Sequence, residues 1–174
     1  MKKFIVIAVL CVAPAYYLSA CTQSEGPDAG AVAVTEINLS DVPQSVKDVV
    51  MAKRPDFVMS EVVMKVRDGR TYYDVEGELP GGDEIEFDVL MTEAGPQIVE
   101  VQRDMAWADV SQTVRSIVDA ANTDNTAVTR VIESVQTDGS IIYEIFVAGK
   151  ASDPSFEVQV TGADAKLLTE RAEH

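Results

Sequence analysis

Six carboxylates at two-residue spacing are the residues best placed to do chemistry in this chain: Asp74, Glu76 and Glu78, then Glu84, Glu86 and Asp88. Val75 and Gly77 separate the first three, and Ile85 and Phe87 the second three. Side chains of a strand alternate between its faces, so each set lines one face, and neighbouring strands bring the two sets together. Opposed carboxylates repel unless basic groups such as Lys65 and Arg67, or a cation, lie between them. Three readings of such a face stand open: a solvated sheet face, a surface for a basic protein, and weak Ca²⁺ binding. No EF-hand spacing supports the last. Paired-carboxylate glycoside hydrolysis has its residue types here but no pocket signature.

Other chemistries lack their parts. The only histidine is His174, the last residue, and the cysteines are Cys11 and Cys21. Ser-His-Asp and Cys-His sites and zinc centres therefore have no complete residue set. Neither G-x-x-x-x-G-K-[ST] nor G-x-G-x-x-G occurs, so there is no signature of a phosphate-cradling loop. The expectation is a non-enzymatic protein with no catalytic residue, no cofactor and no resident metal.

The N-terminus reads as an address. Lys2 and Lys3 precede an apolar run from Phe4 to Ala13. Ten residues span about 15 Å as a helix, half of a hydrocarbon core of about 30 Å, so the run is a secretory signal rather than a membrane span. Leu18-Ser19-Ala20-Cys21 resembles a bacterial lipobox, which implies cleavage after residue 20 and lipidation of Cys21. Thr22 is not the aspartate that retains many lipoproteins at the inner membrane. The expected location is the cell envelope, lipid-anchored and facing the periplasm, at the outer membrane in preference to the inner. Cys11 leaves with the signal and Cys21 is acylated, so the mature chain has neither a free thiol nor a disulfide. Gln23 to Gly30 is polar and punctuated by glycine and proline, which is linker chemistry.

Residues 1–20 hold two lysines and no acid, so their removal takes the net charge from −15 to −17. A field of that sign repels nucleic acid and anionic headgroups, which makes both poor partners.

The elements that must position the carboxylates come from a repeat. DVPQSVKDVV (41–50) returns as DVSQTVRSIV (109–118), with Asp, Val, Gln, Val and Val identical at an offset of 68. Asp68-Gly69 matches Asp138-Gly139, and Tyr73-Asp74-Val75 matches Tyr143-Glu144-Ile145. Such a period precedes any choice of fold. Val42, Val46, Val49 and Val50 form one helical stripe, capped by Ser40 or Asp41 with Pro43 in the first turn and Pro55 as the stop. Val110, Val114, Ile117 and Val118 repeat the stripe. Strands follow each helix: 62–67, 72–76, 84–91 and 97–102 in the first copy, and 130–136, 141–147, 156–160 and 165–170 in the second. The stretch 130–136 lacks clean alternation, which suggests a bulge among Val131, Ile132 and Val135. Residues 31–34 either lie along the domain or begin a strand. Tyr73 and Tyr143 are expected in the core, with hydroxyls reaching the sheet edge. Trp107 lies between the copies and reads as interunit packing or as an exposed binding anchor.

Val42-Pro43 with Val46 and Pro55, Asp68-Gly69 leading to Tyr73-Asp74-Val75, the strand from Ile85 to Val89 and the turn before Ile98 together resemble the PepSY-like, or β-lactamase-inhibitor-protein-like, family. The likeness covers residues 39 to 170. The second copy departs from it at Ser111, near Asp124 and in the turn 161–165. The resemblance implies a helix packed on an antiparallel sheet in tandem copies, and binding or restraint of another protein in the envelope. The expected fold is α+β, two tandem units, each a helix on a mostly four-stranded antiparallel sheet. The expected organisation is a signal peptide (1–20), a tether (21–38), a first unit (39–102), a connector (103–108) and a second unit (109–174). The expected function is protein or peptide binding, inhibition included, through Glu84, Glu86, Asp88 and Trp107. The alternative is a structural accessory of an outer-membrane assembly.

Overall fold

Apolar residues at every second position, punctuated by glycine and proline turns, give this chain its strands. In a computed structural model describing residues 33–171, they are β1 (Ala33–Glu36), β2 (Val58–Arg67), β3 (Arg70–Glu78), β4 (Glu84–Thr92) and β5 (Gly95–Asp104), followed by β6 (Val128–Gln136), β7 (Ile141–Val147), β8 (Phe156–Thr161) and β9 (Asp164–Leu167). Two helices interrupt them, α1 (Gln44–Lys53) and α2 (Gln112–Ala121), with a short 3₁₀ turn at Trp107–Asp109. The signal segment, Cys21, most of the tether and His174 lie outside the described residues.

The expectation of two units, each with its own four-stranded sheet, is overturned. The strands form one nine-stranded antiparallel sheet in unbroken sequence order, and the fold is mostly β. Two features make the difference. Strand β5 continues to Asp104 and pairs with β6 from Glu100↔Gln136 to Asp104↔Ile132. A sheet ending at β5 would leave a row of backbone donors and acceptors unpaired, and β6 supplies their partners. At the other end, β1 adds a ninth strand, with Ala33 opposite Val66 and Glu36 opposite Val63. Of the stretch 31–34, which read equally as a strand or as a packed linker, Ala33 and Val34 belong to a strand, and residues 31 and 32 lie outside the described residues.

Both helices cover the same face. Cross-strand register runs Phe87↔Val101↔Val135↔Ile141, which carries one face across the β5–β6 junction. Val42, Val46 and Val50 on and before α1 pack with Phe57, Val62, Val75, Phe87 and Val89. Val110, Val114 and Val118 pack with Val131, Tyr143, Ile145 and Val158. Phe57 and Phe87 meet edge to face, centroids 5.1 Å apart at 83°. Valine is a mediocre helix former, so this burial holds both helices.

The repeated segments reach the same shape by different means. Pro43 is the N-cap of α1, with no side-chain cap, in place of the expected Ser40 or Asp41. Its ring fixes φ at −54°, while Ser111 sits at φ −56° and accepts a hydrogen bond from Val114 N at 3.4 Å. The two Asp-Gly pairs also differ. Asp68 and Gly69 both take positive φ in a two-residue hairpin turn. Asp138 instead accepts a bond from Ser140 N at 2.8 Å, and only Gly139 takes positive φ. In β6, the bulge falls at Val128/Arg130 rather than among Val131, Ile132 and Val135. Alternation fails there because both faces are buried: Val131 joins the core under α2, and Ile132 lies opposite Glu144 on the other face with 9% exposure.

Gly77 sits where the sheet leaves no room for a side chain. A β-carbon there would lie 2.6 Å from the Phe57 ring and closer still to the Val58 carbonyl oxygen, which is backbone and moves only with β2. Gly77→Ala is expected to destabilise the fold by at least about 1–3 kcal/mol, as overpacking does, read as a lowered urea midpoint. An unchanged midpoint would contradict this packing.

Candidate functional site

The face without helices collects the carboxylates. Asp74 stands opposite Asp88, and Asp88 opposite Glu100. One row over, Glu61 stands opposite Glu76, Glu76 opposite Glu86 and Glu86 opposite Gln102. Glu78 faces Glu84. Like charges directly across a ladder are destabilising, so this arrangement needs compensation.

Part of that compensation is present. Lys65 on β2 forms an ion pair with Asp74. Gln136 on β6 donates from Nε2 to Glu100 Oε1 at 2.8 Å. Beyond these, burial is severe: Asp74, Asp88 and Glu100 are 4%, 6% and 3% exposed. Asp88 Oδ1 is buried with no hydrogen-bond partner. One oxygen from each of Asp74, Glu86 and Asp88 lies within 4.8 Å of the others.

Proton affinity follows from this geometry. Burial, then the neighbouring Asp74 and Glu86 charges, push the Asp88 carboxyl up to about 9. Burial and Asp74 push Glu86 up to about 7, against a hydrogen bond with Asp88 that favours its ionised form. Asp74 is also raised by burial, despite its bond to Lys65. Burial pulls the Lys65 ammonium down, but Asp74 and the surrounding carboxylates outweigh it and leave it raised. Near neutral pH, the buried set therefore holds protons that ordinary carboxyls would have lost.

The face changes character around this cluster. Glu76, Glu78 and Glu84 are exposed, and with Glu86 they border an open groove of about 180 Å³ that also takes in Arg103 and Arg130. Arg130 pairs with Asp104 through Nε–O distances of 3.0 Å. On the helix side, Arg103 donates to Glu133 at 2.6 Å, and Tyr143 donates to the same carboxylate at 3.1 Å. The Tyr143 hydroxyl thus ends on a side chain of β6 rather than at a sheet edge.

The structure divides the sequence-predicted residues. Glu84 is exposed, Glu86 is half-buried and Asp88 is buried. Trp107, partly buried, packs against the core under α2. Cys21 lies outside the described residues. Sequence reasoning missed Glu100, the Arg103–Glu133–Tyr143 network and the Gln136 contact. The β3–β4 partners were readable in principle, because a loop from Leu79 to Asp83 sets Glu78 opposite Glu84 and so fixes Asp74 opposite Asp88. Glu100 depends on a register shift between Asp88 and Val89, for which the sequence carries no signal.

The chain matches no protein-family model, no curated protein and no solved structure. Among the described residues no helix is long and apolar enough to cross a membrane.

A pH prediction follows from the raised carboxyls. Their folded pKa values exceed the unfolded ones, so between the two the native state binds more protons than the unfolded state, and stability falls as pH rises. For Asp88, this loss begins above the ordinary value of 3.8 and is complete once pH passes about 9. The expected slope is at most about 1.4 kcal/mol per pH unit per proton. Urea unfolding should show Asp88→Asn flattening this decline relative to wild type between about pH 5 and about pH 9, with equal or greater stability at the upper end. Parallel pH profiles for the two proteins would contradict the placement of that proton.

Proposed function

We propose that the protein is a non-enzymatic, lipid-anchored envelope protein of PepSY-like kind that uses the helix-free face of its sheet to bind a basic segment of another protein or a peptide. One observation carries the reading. Glu61, Glu76 and Glu86 stand directly opposite one another across three strands, and Glu78 faces Glu84 beside them. A protein interior or a solvated surface gains nothing from directly opposed like charges, whereas a basic partner converts that repulsion into complementarity. The adjoining groove gives a ligand side chain somewhere to enter. The Cys21 lipidation signal would hold the face at a membrane, where restraint or inhibition of a neighbouring protein acts by occlusion. The buried Asp88 contributes field rather than contact, so the contact residues of this reading are the exposed Glu76, Glu78 and Glu84 together with Glu86.

Crosslinking the anchored protein in envelope preparations, followed by mild purification and mass spectrometry, tests this. One stoichiometric protein partner, lost on charge reversal by Glu78→Lys with Glu84→Lys, is the expected result. Affinity should also fall as ionic strength rises, because exposed charges are screened over about 10 Å at 0.1 M salt. Recovery of the monomer alone, or capture indifferent to the double reversal, would sink the proposal.

A further inference from the structure

We infer that Asp74, Glu86 and Asp88 form a binding site for a hard divalent cation, Ca²⁺ or Mg²⁺, on the helix-free face of the sheet. The inference does not rest on the protein-binding reading; it stands on the buried cluster rather than on the exposed rim.

The three donors project from adjacent strands, with Asp74 on β3 opposite Asp88 on β4 and Glu86 two residues before Asp88. Their nearest oxygens lie within 4.8 Å of one another, a separation that Ca²⁺ spans at metal–oxygen distances of about 2.3–2.6 Å. The shorter distances of Mg²⁺, about 2.0–2.1 Å, need the carboxylates to draw closer than that limit. A second observation points to a ligand. Asp88 is 94% buried by its 6% exposure, and its Oδ1 has no hydrogen-bond partner. A buried carboxylate oxygen in that state lacks the stabilisation that such groups nearly always receive. A cation between the three carboxylates supplies it.

The donor chemistry fixes the class of ion. All three ligands are carboxylate oxygens, and no histidine or cysteine occurs among the described residues, so soft and borderline metals have no matching donors. Glu100 faces Asp88 from the next strand and adds negative field. Among the described residues the Lys65 ammonium is paired to Asp74 and drawn also by Asp88 and Glu86. Lys65 is thus an internal competitor for the same charge. A strand scaffold that holds three carboxylates in register, with a lysine on a flexible stem competing for their charge, makes a site of modest affinity. The relevant scale is that of extracellular modules, about 0.1–1 mM.

The test uses the full-length chain purified in detergent, with CaCl₂ and MgCl₂ titrated separately at constant ionic strength. Calorimetry gives stoichiometry and affinity, and thermal unfolding gives an independent readout, since an ion that binds only the native state raises Tm with its concentration. The expected result is about one ion per chain for at least one of the two salts, with affinity at least about ten-fold weaker in Asp88→Asn. Lys65→Met, which removes the competitor, should bind the ion more tightly than wild type. This second variant keeps the inference exposed even if Asp88→Asn folds poorly. Absence of saturable binding by both ions, or affinities unchanged in both variants, would overturn the site. The protein-binding reading has its own variants, Glu78→Lys with Glu84→Lys, so either proposal can fail without the other.

Discussion

Both helices pack on one face of a nine-stranded sheet, and the opposite face has to reconcile polar side chains with a buried centre. A strand offers no freedom about where its next side chain points. Once Val75, Phe87 and Val101 are committed to the core under α1, Asp74, Asp88 and Glu100 are committed to the other face, in line across three strands. Carboxylates that three neighbouring strands hold in line cannot all keep their charge out of water at ordinary proton affinity. Lys65 and Gln136 are the responses visible in the structure, and a raised proton affinity at Asp88 is a third. Each is partial, and one oxygen of Asp88 remains unsatisfied.

That tension separates the face into two regions with different physical roles. At the exposed end, Glu76, Glu78 and Glu84 keep water and screening, so their repulsion is mild and available to a solvated partner. At the buried centre, Asp74, Asp88 and Glu100 have lost that water, and small charged species, a proton or a metal ion, are what the space admits. The two proposed roles, protein contact and ion binding, thus fall to adjacent carboxylates that differ chiefly in burial.

The repeated segments show how much latitude one pattern leaves. A proline ring and a serine hydroxyl start equivalent helices at nearly the same backbone angles, and two Asp-Gly pairs close hairpins with different turns. What the pattern constrains is burial of the valine stripes; the local device that permits it is interchangeable. Continuity across β5 and β6 then makes a single sheet from the repeated elements, because an open sheet edge with unpaired backbone groups is relieved most directly by the strand that follows in the chain.

By itself the sequence determined the helices, nearly every strand, the alternation that gives each strand its core residues, and the six carboxylates that β3 and β4 bring to the acidic face. These are local properties: the valine stripe of 42–50, the Asp68-Gly69 turn and the alternation from Glu84 to Met91 each report their own conformation within a few residues. Burial of Ile132 was not local in that sense, since a strand covered on both faces loses the period that would reveal it. Only the tertiary structure decided that the strands form one sheet rather than two, that β1 belongs to it, and that Glu100 joins Asp74 and Asp88. Those outcomes depend on which strand edges meet and on a one-residue register shift, and pairing energies between distant backbone groups leave no mark on composition or spacing.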